Sequence, residues 1–165
     1  MTGALRTLFE PETAAFLEGG CVWIVGTVSA DGEPYASRGW GADVLEGPEM
    51  RLRLLLDADD AVTLRNLTPG AAVAVTATDV RTLHSRQGKG RAVRIEPGTT
   101  GDRKRAARFC NDFFADIMAV DGTDRALLER LVPADYVACE MVIAELYDQT
   151  PGPKAGSKVG NGARG

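Results

Sequence analysis

The stretch CVWIVGTVSADGEPYASRGWGADVL, residues 21–45, contains two predicted strands joined by a short turn. Residues 21–29 are rich in β-branched and aromatic side chains, which are typical of a strand. Residues 30–34, ADGEP, combine Asp, Gly and Pro, and this combination favours a tight turn. The strand predicted over residues 35–45 should therefore pair antiparallel with the first.

The rest of the chain predicts further strands separated by helices. The strands are predicted at residues 50–56, 71–78 and 136–147, with a long strand or hairpin at 80–95. The helices are predicted at residues 10–18, 59–67, 102–120 and 124–131. Consecutive strands with short connections favour an antiparallel sheet, which tends to close into a barrel in a single domain. We therefore expect a mainly β (α+β) fold, an antiparallel β-barrel with peripheral helices.

The length and composition predict one globular domain and exclude several classes of function. We expect the domain to cover residues 1–150 and a Pro/Gly-rich, partly disordered tail to cover 151–165. The net charge of −4 and the pI of about 5.1 provide no basic field for nucleic acid. No apolar run approaches the roughly 18 residues of a membrane span. The first residues also lack the features of a signal peptide.

The three cysteines, Cys21, Cys110 and Cys139, lie far apart in apolar surroundings. This spacing argues against a disulfide framework and against a zinc site. We expect all three to be core thiols in a protein of the reducing cytoplasm.

Residues able to catalyse acid–base or nucleophilic chemistry are sparse. His84 is the only histidine, and no GxSxG nucleophile motif is present. The acidic residues Asp57, Asp59 and Asp60 lie at a predicted helix start, where capping explains them. The sequence therefore assigns no catalytic residue and no metal site.

Two segments combine cations with glycines inside predicted strands: residues 37–41, SRGWG, and residues 85–90, SRQGKG. Glycine weakens a strand, so its recurrence is typical of a bulge or of a ligand lying close to the backbone. Arginine and lysine bind phosphate oxygens, and Trp40 offers a flat surface for a conjugated ring. One interpretation is a site for a phosphorylated aromatic cofactor. The other is that Arg38, Arg86 and Lys89 face water at sheet edges, where charge prevents aggregation.

The order of the segments resembles that of the pyridoxamine 5'-phosphate oxidase-like flavoproteins, whose fold is the FMN-binding split β-barrel. The resemblance covers about residues 8–150. It is carried by GTVSADGEPYASRGW (26–40), RLRLLLDADDAVTLRNL (51–67), AAVAVTATDV (71–80) and the segment that contains Gln87 and Lys89.

The resemblance implies a homodimer with an FMN site at the subunit interface, lined by both chains. The cofactor-binding residues that it implies are Ser37, Arg38, Gly39, Trp40, Leu55, Leu56, Asp57, Gln87 and Lys89. The second cationic segment adds Ser85 and Arg86 to this set. We expect Arg38, Arg86 and Lys89 to bind the phosphate, and Trp40 and Gln87 to contact the ring.

The chain departs from this family at one place. Many members hold phosphate with a serine or threonine and a basic pair just after the third strand, where this chain has Asp57-Ala58-Asp59-Asp60. Either other cations hold the phosphate, or the cofactor differs. The deazaflavin F420 and haem, with His84 as its ligand, are the alternatives.

The predicted function is that of an FMN-dependent oxidoreductase acting on an unidentified small molecule. The C-terminal residues show no counterpart of the substrate-binding residues of true pyridoxamine phosphate oxidases, so we do not expect pyridoxal phosphate to be the product. A non-catalytic flavin-binding or storage protein, and a structural dimer with an empty barrel, are the competing hypotheses.

Overall fold

The computed structural model describes residues 9–159. The strands are β1 Val22–Val28, β2 Pro34–Leu45, β3 Arg51–Asp57, β4 Ala72–Thr78, β5 Ser85–Pro97, β6 Tyr136–Asp148 and β7 Ser157–Lys158. The helices are α1 Pro11–Leu17, α2 Ala61–Asn66, α3 Thr100–Asp121 and α4 Arg125–Glu129. Each predicted strand and helix is present, with shifts at the ends.

The largest shift is at the start of β5, which was predicted to begin near residue 80 and begins at Ser85. The Asp79 carboxylate accepts hydrogen bonds from the backbone N–H groups of Arg81 and Thr82. Leu83 has a φ of 61°, in the left-handed region. This turn satisfies the backbone locally, so the ladder starts after it.

Six antiparallel strands close into a barrel. The strand order is β3-β2-β1-β4-β5-β6, and β3 also pairs with β6. β7 adds a short strand outside β6. The antiparallel barrel with peripheral helices is therefore confirmed, because the β3–β6 pairing leaves neither of these two strands as a free edge.

The barrel interior is filled by the apolar side chains that alternate along the strands. Trp23 and Val25 of β1 are fully buried, and Val75 and Ala77 of β4 lie beside them in the sheet. Ile24, between the two β1 residues, is 44% exposed. This alternation with a period of two residues assigns an inner and an outer face to each strand.

Helix α3 covers part of the outer surface of β2. The apolar side chains of α3 that are buried are those of Ala106, Phe109, Cys110, Phe113 and Phe114, whereas Met118, further along the helix, is 39% exposed. Gly41 has a φ of +115°, and a Cβ there would lie 3.1 Å from the Cβ of Phe109. A side chain at this position would be strained and would push the helix from the sheet.

All three cysteines are buried and free, which confirms them as core thiols. Within residues 9–159, no helix has the length and apolar character needed to cross a membrane. Residues 157–158 pair with 147–148 of β6. Residues 160–165 of the tail, for which disorder is predicted, lie outside the described residues. The domain boundary at residue 150 stays a prediction.

Candidate functional site

Side chains from four strands form the outer face of the sheet in register. One row of paired residues consists, from β2 to β5, of Arg38, Ile24, Thr76 and Gln87. The adjacent row on the same face consists of Ala36, Gly26, Ala74 and Lys89. Because paired residues share a face, Arg38, Gln87 and Lys89 all project from the outer surface. With strands about 4.8 Å apart, Arg38 and Gln87 are separated by roughly 14 Å.

An apolar groove of about 610 Å³ lies on this outer face. Its floor is built largely from small or apolar residues, including Gly26, Val28, Pro34, Ala36, Ala72 and Ala74. Val28 is 49% exposed, and Ile24 lies in the neighbouring row. A flat apolar surface of this kind can receive a planar ring or another protein surface.

A second cavity of about 600 Å³, the Arg38 cavity, adjoins the groove. Its walls include Arg38, Trp40, Asp57, Asp59 and Asp60. The guanidinium carbon of Arg38 lies 5.9 Å from the ring centroids of both Trp40 and Phe113, within cation–π range. Among residues 9–159, Arg38 forms no ion pair with a carboxylate.

The aspartates of the Arg38 cavity also organise the loop between β3 and α2. Asp60 is the N-cap of α2, and its carboxylate accepts a hydrogen bond from the Thr63 N–H at 3.1 Å. Asp57 accepts one from the Asp59 N–H at 2.9 Å. The predicted capping role is therefore present at Asp60, although all three carboxylates also line the cavity.

Arg86 projects to the opposite side of the sheet from Gln87 and Lys89. It pairs in register with the fully buried Ala77 and forms a 3.0 Å salt bridge with Asp148. Consecutive residues of a strand point to opposite faces, so Arg86 cannot share the face of Gln87. The structure thus brings Arg38 and Lys89 onto one face and separates Arg86 from them.

Lys89 lies against the β6 side of the groove. Its ammonium nitrogen is 4.8 Å from the centroid of the Tyr147 ring. The Tyr147 hydroxyl donates to the Glu145 carboxylate, which raises the pKa of Tyr147 and lowers that of Glu145. Glu145 also lies 3.8 Å from Lys158. The outer face is therefore polar at its β5–β6 edge.

Gln87 is held in place by two side chains. Its amide nitrogen donates to Thr76 Oγ1 at 3.2 Å, and its amide oxygen accepts from Gln149 at 3.2 Å. Both contacts lie at the surface of the sheet, so the amide has a defined orientation there.

Several other predicted site residues belong to the packed interior. Leu55 and Leu56 are each 1% exposed. A Cβ on Gly39 would lie 2.8 Å from the Cβ of Trp23. The remaining two have polar partners: Ser37 Oγ lies 2.8 Å from Thr63 Oγ1, and Ser85 Oγ lies 2.9 Å from Thr78 Oγ1. Their assignment to a cofactor stays a prediction.

Sequence reasoning missed several residues that line the Arg38 cavity: Tyr35, Ala61, Val62 and Leu131. Tyr35 is 39% exposed and lines both the cavity and the groove. Tyr35 lies three residues from Arg38 on β2, and this odd spacing places the two on opposite faces of a strand, so the sequence pattern did not indicate it. Leu131 follows α4, and no local pattern in the sequence brings that segment to β2.

His84 lies away from both the groove and the Arg38 cavity. Its ring packs edge-on against Phe16 with centroids 4.7 Å apart, and its Nδ1 is 3.4 Å from Thr150 Oγ1. Over the described part of the chain, no group of three His, Cys, Asp or Glu side chains is arranged to hold a metal ion.

Comparison with known proteins gives matches among solved structures only, since no family model and no curated protein matches the chain. HupZ from Group A Streptococcus is 14% identical with a TM-score of 0.52, over 90% of this chain and 99% of HupZ. An F420 reductase is 21% identical with a TM-score of 0.51, over 80% and 93% of the two chains. A candidate pyridoxamine 5'-phosphate oxidase from Lactobacillus delbrueckii is 19% identical with a TM-score of 0.50, over 87% of this chain and 97% of that protein.

These similarities cover most of each chain, but their sequence identities are low. They therefore establish the fold and leave the ligand open. The barrel topology and these matches agree with the expectation from the segment order. The chain has the split β-barrel fold of the pyridoxamine 5'-phosphate oxidase-like proteins.

Proposed function

We propose that the chain is a homodimeric oxidoreductase that binds a flavin-type cofactor at the interface of two copies and acts on a small molecule. The observation that carries this proposal is the shared outer face of Arg38, Gln87 and Lys89, next to an exposed apolar groove. An F420 reductase and a candidate pyridoxamine 5'-phosphate oxidase share the fold, which supports a redox cofactor of this class.

A second copy of the chain is the occupant that best suits the outer face. Ile24 and Val28 are 44% and 49% exposed, and small residues surround them. Monomeric proteins rarely leave a large apolar patch in water. A two-fold interface uses the same patch on both subunits, so one apolar face is sufficient for the dimer.

The residues present fit a conjugated ring. Arg38 and Lys89 provide positive charge on the outer face, and Gln87 presents an oriented amide. A flavin, when bound, supplies the hydride or electron transfer, while the protein supplies orientation and exclusion of water. This division of roles agrees with the few acid–base groups around the groove.

The residues of the loop after β3 do not fit the phosphate of FMN. Asp57, Asp59 and Asp60 are the charged side chains of this loop that line the Arg38 cavity. FMN is the cofactor that the family resemblance suggests and F420 is an alternative, but this loop disfavours a phosphate group of either cofactor at this point. Haem is less favoured, because His84 lies outside the groove.

Reconstitution tests the function directly. Purified protein would be titrated with FMN, F420 and haem in separate experiments, and bound ligand would be followed by absorbance. We expect a flavin or deazaflavin to bind and then to be reduced by a nicotinamide donor or another reductant. Binding without turnover for any donor would favour a storage protein, and the absence of any binding would contradict the proposal.

The dimer is tested by Ile24→Lys, which puts a charge in the centre of the outer face. We expect this variant to sediment as a monomer and to lose flavin binding. Val120→Lys is the matched control, because Val120 is 55% exposed near the end of α3. A wild-type chain that sediments as a monomer with its flavin bound would contradict the interface.

We also propose a cytoplasmic location. All three thiols are free and buried, and none has a disulfide partner in residues 9–159. Free thiols are typical of proteins in a reducing compartment. Fractionation of cells that express the chain would test this.

A further inference from the structure

The backbone N–H groups of the loop between β3 and α2 all donate hydrogen bonds within the protein. The Ala58 N–H donates to Asp135 O at 3.1 Å, and the Asp60 N–H donates to Asp57 O at 3.2 Å. The Asp59 N–H donates to the Asp57 carboxylate at 2.9 Å, and the Ala61 N–H donates to Asp59 O at 2.9 Å. A loop that binds phosphate needs free N–H groups, and these four residues offer none.

The side-chain donors beside this loop are occupied as well. Thr63 Oγ1 lies 2.6 Å from the Asp60 carboxylate and 2.8 Å from Ser37 Oγ. The Thr63 N–H donates to the same Asp60 carboxylate. The Asp60 carboxylate thus takes both donors of Thr63 in the first turn of α2.

The charge of the Arg38 cavity also disfavours a bound phosphate. One guanidinium, Arg38, lines it together with three carboxylates, Asp57, Asp59 and Asp60, which leaves a net charge of −2. Within the described chain, none of these carboxylates forms a salt bridge. A phosphate dianion in this cavity would meet repulsion that a single arginine does not cancel.

We infer that the Arg38 cavity excludes a phosphorylated group and accepts the uncharged or positively charged end of a ligand. This inference rests on the proposed function, because it specifies which part of a flavin-type ligand the cavity can hold. Arg38 then contacts the ring or a carbonyl oxygen, and the aspartates accept hydrogen bonds from hydroxyl or amino groups.

Riboflavin and FMN are the probes, because they differ only in the phosphate. We expect the wild-type protein to bind riboflavin at least as tightly as FMN, measured by quenching of flavin fluorescence at low salt. Asp59→Asn removes a carboxylate that accepts no hydrogen bond in the described chain. It should shift the preference toward FMN by roughly three- to ten-fold, and added salt should reduce the shift.

Asp31→Asn is the matched control, with the same charge change in the turn between β1 and β2. It should leave the ratio of the two affinities unchanged. A wild-type preference for FMN of ten-fold or more that Asp59→Asn does not alter would overturn the inference.

A measurement without flavin separates this inference from the proposed function. Inorganic phosphate would be added while the indole NMR signal of Trp40, which lines the cavity, is recorded. We expect no phosphate-dependent shift of this signal for the wild type. If no flavin binds, the proposed function fails and this titration still decides the inference, since a phosphate-dependent shift in the wild type contradicts it.

Discussion

Arg53 and Asp102 connect the barrel to its longest helix through two parallel hydrogen bonds. Arg53 Nε lies 2.9 Å from Asp102 Oδ1, and Arg53 Nη2 lies 2.7 Å from Asp102 Oδ2. Glu96 and Glu140 contact Arg53 Nη1 at 2.7 Å and 3.0 Å. Asp102 also completes the capping box of α3 with Thr99. The Asp102 carboxylate thus caps the N-terminus of α3 and also binds the guanidinium of Arg53 on β3.

Asp102→Asn should destabilise the protein by about 2–3 kcal/mol, because it leaves a largely buried guanidinium with fewer partners. The loss is limited, since Glu96 and Glu140 still contact Arg53. Urea denaturation would measure the change. Asp116→Asn is the control, because its salt bridge with Arg81 is largely exposed and should contribute less than about 1 kcal/mol. Equal effects of the two substitutions would contradict this role of Asp102.

The stability of the protein should fall in acid, and part of this loss should come from protonation of Asp102. The hydrogen bonds from Arg53, together with those from Thr99, lower the pKa of Asp102 from 3.8 to about 2. A carboxyl with a lowered pKa in the folded state stabilises that state above its unfolded pKa and loses this effect as the pH falls. The difference between wild type and Asp102→Asn should therefore shrink by about 2 kcal/mol between about pH 4 and pH 2. A stability difference that does not depend on pH would contradict this role of the Asp102 carboxylate.

The three cysteines should resist alkylation in the folded protein. Burial raises the pKa of Cys21 to about 12 and the pKa values of Cys110 and Cys139 to about 11. Since the thiolate is the reactive form, iodoacetamide at about pH 8 should label the thiols only after denaturation. Mass spectrometry before and after addition of urea measures this, and rapid labelling of the native protein would show that a thiol is accessible.

Gly90→Ala should destabilise the β5–β6 pairing. A Cβ on Gly90 would lie 1.8 Å from the backbone oxygen of Val142, next to an irregularity in the pairing register. The backbone must move to admit it, at a cost of about 1–3 kcal/mol. Gly101→Ala is the control, because a Cβ there would have its nearest contact 3.5 Å away and the residue lies outside the groove, so it should not destabilise the protein. Thermal unfolding of both variants tests the difference, and similar melting temperatures would contradict it.

The helices and strands could be predicted because their signals are local. The turn at residues 30–34 and the N-cap at Asp60 each depend on residues close together in the chain. The start of β5 was misplaced because Asp79 binds two N–H groups of the following turn. That side-chain contact competes with the strand and is not visible as a change in hydrophobicity.

The candidate site could be predicted only in part. Arg38 and Lys89 do share a face, as a common site requires, whereas Arg86 does not. The alternation of a strand already separates Arg86 from Gln87, and this signal was present in the sequence. The Asp148 partner of Arg86 lies about sixty residues further along the chain, so no local pattern identifies it.

The sequence by itself determined the strand order along the chain, the antiparallel hairpins and the acidic loop after the third strand, because these depend on neighbouring residues. Only the tertiary structure decided which cations face outward and which carboxylates surround Arg38. Those relationships depend on the pairing register of distant strands and on how a loop uses its own hydrogen-bond donors. They arise when the barrel closes, since closure fixes which face of each strand is removed from water.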